Sequence, residues 1–279
     1  MEGKRHGGAG RVIVVILILV VLLVVGAFFL FGGRVHIDPP TFSSGYRYDH
    51  AGDYHLLSEL PAEGLTAYHV TLNWIAGKIE IVGSEAQTVE LSENFAGEAD
   101  KQLRWRLDGD TLIVQPCASG VRDLPEKTLT VSLPCTAGLK IDTISADCVL
   151  TGVETSRLDF DSVSGALQGR AAVMESLCVD TVSGGTALEL TASPETCDAD
   201  TVSGVMDFTF HTLPGAVTLS STSGNFQLTL PEGCAYKLKW DTVSGTFDPS
   251  GYHAPAGKRA KSVKISADTV SGSLFLSTK

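Results

Sequence analysis

The side chain in this sequence with the clearest capacity for chemistry is a recurring aspartate: Asp142, Asp161, Asp180, Asp200, Asp241 and Asp268. Carboxylates stacked at strand spacing, about 4.8 Å, repel one another by about 1 kcal/mol in bulk water, and a cation would relieve that repulsion. Calcium-binding solenoids, however, use a Gly-Gly-x-Gly-x-Asp nonapeptide, which this chain lacks. Each aspartate is therefore expected to accept hydrogen bonds from turn N–H or threonine hydroxyl groups and otherwise to be hydrated. His50, Asp53 and His55 are metal-capable and closely spaced, but they match no metal-binding pattern and read as a surface loop. No serine sits in a Gly-x-Ser-x-Gly elbow, and neither His-Glu-x-x-His nor a phosphate-binding glycine loop is present. No catalytic residue, metal ligand or cofactor is assigned, and no small-molecule substrate is expected. A net charge of −11 argues against nucleic acid as a partner, because phosphate binding needs a basic surface.

The aspartates belong to a repeat. Asp-Thr-Val-Ser-Gly occurs at 180–184, 200–204, 241–245 and 268–272, with variants at 161–165 and 220–224 and a degenerate Asp-Thr-Ile-Ser-Ala at 142–146. The last residues of the copies, at 146, 165, 184, 204, 224, 245 and 272, are separated by 19, 19, 20, 20, 21 and 27 residues. A period near 20 with alternating hydrophobicity inside each unit predicts an all-β fold, a parallel β-solenoid with two or three short strands per coil. Before the motif the apolar positions alternate (Leu158 and Phe160, Leu177 and Val179, Leu238 and Trp240, Val263 and Ile265), and after its Gly they resume at Leu167, Met206, Phe226, Phe247 and Leu274. These sets should stack into apolar columns that bury Phe226 and Trp240. The motif Gly is expected to turn with φ > 0. The long final step carries Asp248–Gly257, expected to be a protruding loop. Strict alternation points the motif valines outward: Val163, Val182, Val202, Val243 and Val270, with Ile144 beside them and Thr222 interrupting the row. That would give an exposed aliphatic stripe next to the aspartates, and such patches mark contact sites. A kink at each Asp-Thr step would instead turn the valines into one more core column.

Residues 65–135 read as less regular β structure. Asn73-Trp74-Ile75-Ala76-Gly77 aligns with the motif as a divergent first coil, Trp105 and Leu107 lead into an Asp108-Gly109 hairpin turn, and Leu129, Val131 and Leu133 form one more strand. Of the six cysteines, Cys148 and Cys197 fall on inward apolar positions and Cys178 points outward, so three disulfides are not all formed; Cys117 and Cys135 could pair. Cys234 has no assigned partner.

Val12–Phe31 is a run of twenty residues without charge or proline, long enough at about 1.5 Å per residue to span a bilayer core. Lys4, Arg5 and Arg11 precede it, which predicts a cytoplasmic tail (1–11), a transmembrane helix (12–31), a juxtamembrane linker (32–64) and an external solenoid domain (65–279). A cleaved signal peptide is the alternative.

The repeated Asp-Thr-Val-Ser-Gly, the segment Asn73–Ile81 and Arg104-Trp105-Arg106-Leu107-Asp108-Gly109-Asp110-Thr111-Leu112-Ile113-Val114 together resemble the bacterial "putative adhesin" β-strand-repeat domain of Gram-positive envelope proteins. The resemblance covers roughly residues 65–279. It implies a β-solenoid exposed at the cell surface and supplies no catalytic residues. The function expected is a membrane-anchored, non-catalytic binding or scaffold module with an envelope protein or glycan as partner. One alternative is an envelope-stress regulatory component working through a membrane partner; another is a glycan-active solenoid enzyme.

Overall fold

The computed structural model describes residues 45–135, 137–255 and 260–279. The apolar run 12–31 and its basic flank lie outside these residues; among the described residues no helix is long and apolar enough to cross a membrane.

More than half of the described residues are in strands. The N-terminal part contains β1 (His55–Leu56), β2 (His69–Trp74), β3 (Gly77–Ser84), β4 (Glu90–Glu93), β5 (Arg104–Asp108), β6 (Thr111–Gln115) and β7 (Lys127–Pro134). There follow β8 (Gly138–Thr143), β9 (Asp147–Ser162), β10 (Leu167–Thr181), β11 (Thr186–Ala192), β12 (Thr196–Thr201) and β13 (Val205–Phe210). The chain closes with β14 (Ala216–Ser221), β15 (Asn225–Leu230), β16 (Ala235–Thr242), β17 (Phe247–Gly251), β18 (Ser262–Thr269) and β19 (Leu274–Thr278).

Each coil contributes two strands, one to each of two parallel ladders whose inner faces meet. The first ladder runs β6, β2, β8, the second half of β9, the second half of β10, β12, β14, β18, β16. The second runs β7, β3, the first halves of β9 and β10, β11, β13, β15, β19, β17. β9 and β10 pass from one ladder to the other as bent single strands with register shifts. In later coils Pro194, Pro214 and Pro231 interrupt the chain at that corner, since proline cannot donate to a ladder.

The alternating residues stack as expected. Leu139, Leu158, Leu177, Cys197, Val217 and Ile265 form one column, and Cys148, Leu167, Thr186, Met206, Phe226 and Leu274 another, all buried. Asn73 registers with Asp142, so the divergent first coil is a true coil, and Asp108 faces Thr111 across the hairpin at Gly109.

The coils do not stack in chain order. At both ends the chain overshoots and returns: β6 and β7 lie outside β2 and β3, and β16 and β17 lie outside β18 and β19. Two expectations fail for this reason. Trp240 is half-buried instead of buried, because β16 is the last strand of its ladder. The segment after Asp248 does not simply protrude: Pro249–Gly251 completes β17, and Tyr252 packs edge-on against Tyr236 at 4.8 Å.

A third correction concerns the motif glycines. Gly77 of the divergent first coil has positive φ, but none of Gly165, Gly184, Gly204, Gly224, Gly245 and Gly272 does. They are glycines because the coils approach closely there: a Cβ on Gly165, Gly184, Gly204, Gly224, Gly272 or Gly245 would collide with a carbonyl oxygen of the adjacent coil. The hydroxyl at the second motif position, buried in Thr201 and Thr269 and half-buried in Thr242, holds the turn; Thr201, Thr242 and Thr269 Oγ1 accept from the N–H of Gly204, Gly245 and Gly272 at 2.7–2.8 Å.

Residues 45–64, read from sequence as linker, are instead packed on the domain. Tyr46 bridges Val121, β1 pairs with β5, and buried Tyr48 donates to the Cys117 carbonyl at 2.9 Å. Pro, Gly and Ser content signalled irregular backbone correctly, but the four aromatic residues Tyr46, Tyr48, Tyr54 and His55 give it apolar surface to bury.

Candidate functional site

The outward face of the first ladder carries the repeated aspartates. By register their order along the stack is Asn73, Asp142, Asp161, Asp180, Asp200, Ser220, Asp268, Asp241. The column is therefore not continuous. Four aspartates are consecutive, and Ser220 separates them from Asp268 and Asp241, which also stand in reversed order. Two residues earlier on each strand runs a second row, Lys140, Asp159, Cys178 and Asp198, so Asp180 has carboxylates beside it and on its diagonals.

Like charges this close, partly removed from water, favour protonation. Burial, then the neighbouring Asp200 and Asp161, raise the Asp180 pKa to about 7. Burial raises Asp142 to about 7 against the opposing pull of Lys140, and burial also raises Asp200. Lys140 is seated in the row, its Nζ 3.1 Å from Asp142 and 3.3 Å from Asp161, and Arg157 Nε reaches Asp159 at 2.8 Å from the side. The expected turn N–H and threonine donors do not serve these aspartates, because the buried Thr and Ser hydroxyls take the turn groups instead.

At the corner beyond each aspartate the motif valines form a row: Ile144, Val163, Val182, Val202, Thr222, Val270, Val243. They belong neither to the core nor to an open stripe. All are half-buried between neighbouring coils except Val243, which is 70% exposed at the end of the stack. The serine after each points outward, and its hydroxyl donates to a carbonyl of the adjacent coil, from Ser145 to Ile75 through Ser271 to Thr222 and Ser244 to Val270.

Cys148 and Cys197 are fully buried and Cys178 is outward and half-buried, as their positions predicted. Cys117 and Cys135 do not pair: Cys117 is enclosed beneath Tyr48, whereas Cys135 is exposed beside Gly83 and Gly152. Cys234 is buried, its thiol donating to the Pro231 carbonyl at 2.9 Å. His50 pairs with Asp53 and His55 with Glu59, both exposed. Among the described residues no group of three or more His, Cys, Asp or Glu side chains is arranged to hold a metal ion.

Sequence reading missed one charged centre. Lys127 opens β7 and is 3% exposed; its Nζ reaches Glu93 Oε2 at 2.6 Å and the carbonyls of Lys101 and Pro116 at 2.8 and 2.6 Å. It also lies over the Trp74 ring at 5.0 Å. The ion pair fastens the loops that close the first coil. Its partners are 34, 26 and 11 residues away, and no local spacing connects them.

Residues 131–277, more than half of the 279-residue chain, match the family described as Toastrack DUF4097. The chain belongs to that family. In this Toastrack protein the matched region begins within β7 and takes in every copy of the Asp-Thr-Val-Ser-Gly motif. Two solved structures are similar to it. One is a "putative cell adhesion protein" from Clostridium sporogenes, 13% identical over 81% of this chain and 98% of that one, with a TM-score of 0.37. The other is a "putative adhesin" from Bacteroides fragilis, 14% identical over 77% of this chain and 94% of that one, with a TM-score of 0.41. No curated protein matches the Toastrack chain.

Proposed function

We propose that this chain is a membrane-anchored, non-catalytic binding module displayed at the cell envelope, and that the aspartate face of the first ladder is its working surface. One observation carries the reading: four consecutive coils present Asp142, Asp161, Asp180 and Asp200 in register, flanked by Asp159 and Asp198. A regular row of carboxylates on a stiff two-ladder stack suits a partner that offers cations at strand-like spacing, about 4.8 Å, such as a basic segment of an envelope protein. The anchor is the apolar run 12–31, with its basic flank inside. The test uses the full-length protein in its membrane. Crosslinking and pull-down should recover a partner that Asp180→Asn with Asp200→Asn releases. A partner retained by the double variant would move the working surface elsewhere. Binding on a glycan array that ignores the two substitutions would replace the protein partner with a glycan.

A further inference from the structure

The two ends of the stack are finished differently. At the N-terminal end the outermost strands are covered: β4 pairs antiparallel with β7, β5 with β6, and β1 with β5. The buried Lys127–Glu93 pair then ties the covering loops down. At the other end, among the described residues, β16 pairs only with β18 and β17 only with β19. The apolar residues of that last coil, Tyr236, Leu238, Trp240 and Phe247, are only partly buried, whereas their column neighbours Val263, Ile265, Ala267 and Leu274 are buried. A solenoid normally ends in a repeat with a polar outer face. This one ends in aromatic residues.

The two open strands are not equally available. In β17 Pro249 removes a donor, the pairing register breaks after Asp248, and the Ser250 N–H is taken by Asp248 Oδ1 at 2.9 Å. β16 has eight residues and neither proline nor bulge. Its outward side chains, Lys237, Lys239 and Asp241, are exposed and mixed in sign. That pattern is self-complementary. When β16 is laid antiparallel on another β16 with Trp240 on the two-fold axis, Lys239 faces Asp241 of the second copy, and Asp241 faces its Lys239. In the same register Leu238 faces Thr242, and the stem of Lys237 falls on Val243, the most exposed large apolar residue among the described residues.

We propose that the unpaired edge of β16 binds the same edge of a second copy of this chain, antiparallel and two-fold about Trp240, joining two stacks end to end. The pairing uses only the terminal Asp241 of the aspartate row and none of Asp142, Asp161, Asp180 and Asp200, so it stands or falls independently of the function assigned to those four.

The test is a charge exchange on the purified full-length chain, read by sedimentation together with tryptophan fluorescence. Trp74 and Trp105 are buried already, so a concentration-dependent blue shift reports Trp240. The wild-type chain should dimerise with that shift. Lys239→Asp alone and Asp241→Lys alone should each weaken the dimer tenfold or more. An equimolar mixture of the two, and the chain carrying both, should restore it, because each again sets opposite charges face to face. Both positions are exposed, so unchanged melting is the expected control; if melting falls, the restored pairing still decides. A monomeric wild type overturns the proposal. So does a dimer indifferent to the single substitutions, which would place the contact in another segment, or a mixture that fails to restore association.

Discussion

Asp180 is the residue on which the electrostatics of the ladder face turn. Its neighbours are Asp161 and Asp200 along the column, Cys178 on its own strand, and Asp159 and Asp198 on the diagonals. A carboxyl raised from 3.8 to about 7 in the folded state binds its proton more tightly there than in the unfolded chain. The stability it contributes is complete below the unfolded value and is lost as pH rises through about 7. The melting temperature should therefore be several degrees higher at pH 5 than at pH 8, and Asp180→Asn should flatten that slope by raising the pH 8 value. An unchanged slope would mean the face is more hydrated than its packing implies. The aspartate spacing was legible from sequence, since a 20-residue period sets identical residues one above another. The break at Ser220 and the reversal of Asp268 and Asp241 were not, because a period is silent about the order in which coils stack. The glycines teach a related lesson: their recurrence was plain, but close packing against the next coil demands glycine as firmly as a left-handed turn does.

At the scale of the element, interior and terminal coils should respond differently to equivalent truncations. Phe226 in β15 is fully buried, and Phe226→Ala should cost about 3–5 kcal/mol in urea unfolding. Trp240→Ala in β16, half-buried, should cost clearly less at monomeric concentrations. Equal losses would mean the last coil is covered within a single chain. The first coil offers a second contrast. Lys127→Met leaves Glu93 buried without its cation and should cost about 3–5 kcal/mol, whereas Lys127→Met with Glu93→Leu should recover much of that loss. Chemical denaturation of these two variants and of Glu93→Leu alone completes the cycle. Alternation sufficed to place the column residues, because a strand has only two faces; the Lys127–Glu93 lock depends on loops meeting across the cap, which no periodicity encodes.

For the whole molecule, the proposed topology is a cytoplasmic N-terminus and an external solenoid, on the basis of the apolar run 12–31 with Lys4, Arg5 and Arg11 before it. Protease added to intact, wall-stripped cells should digest the domain, and a protected C-terminus would reverse that topology. The exchanged order of the final coils carries a consequence for biosynthesis. The ribosome releases β16 and β17 before β18 and β19, although the later pair separates the earlier pair from β14 and β15. Until the last eighteen residues, 262–279, emerge, the nascent chain has a gap of one layer, and the repeat invites β16 to settle on β14 in the wrong neighbourhood. Final folding must hold that gap open or undo the mispairing. A chain stopped at Lys261 should therefore lose a keystone, failing to melt cooperatively where loss of a peripheral layer would only lower its melting temperature.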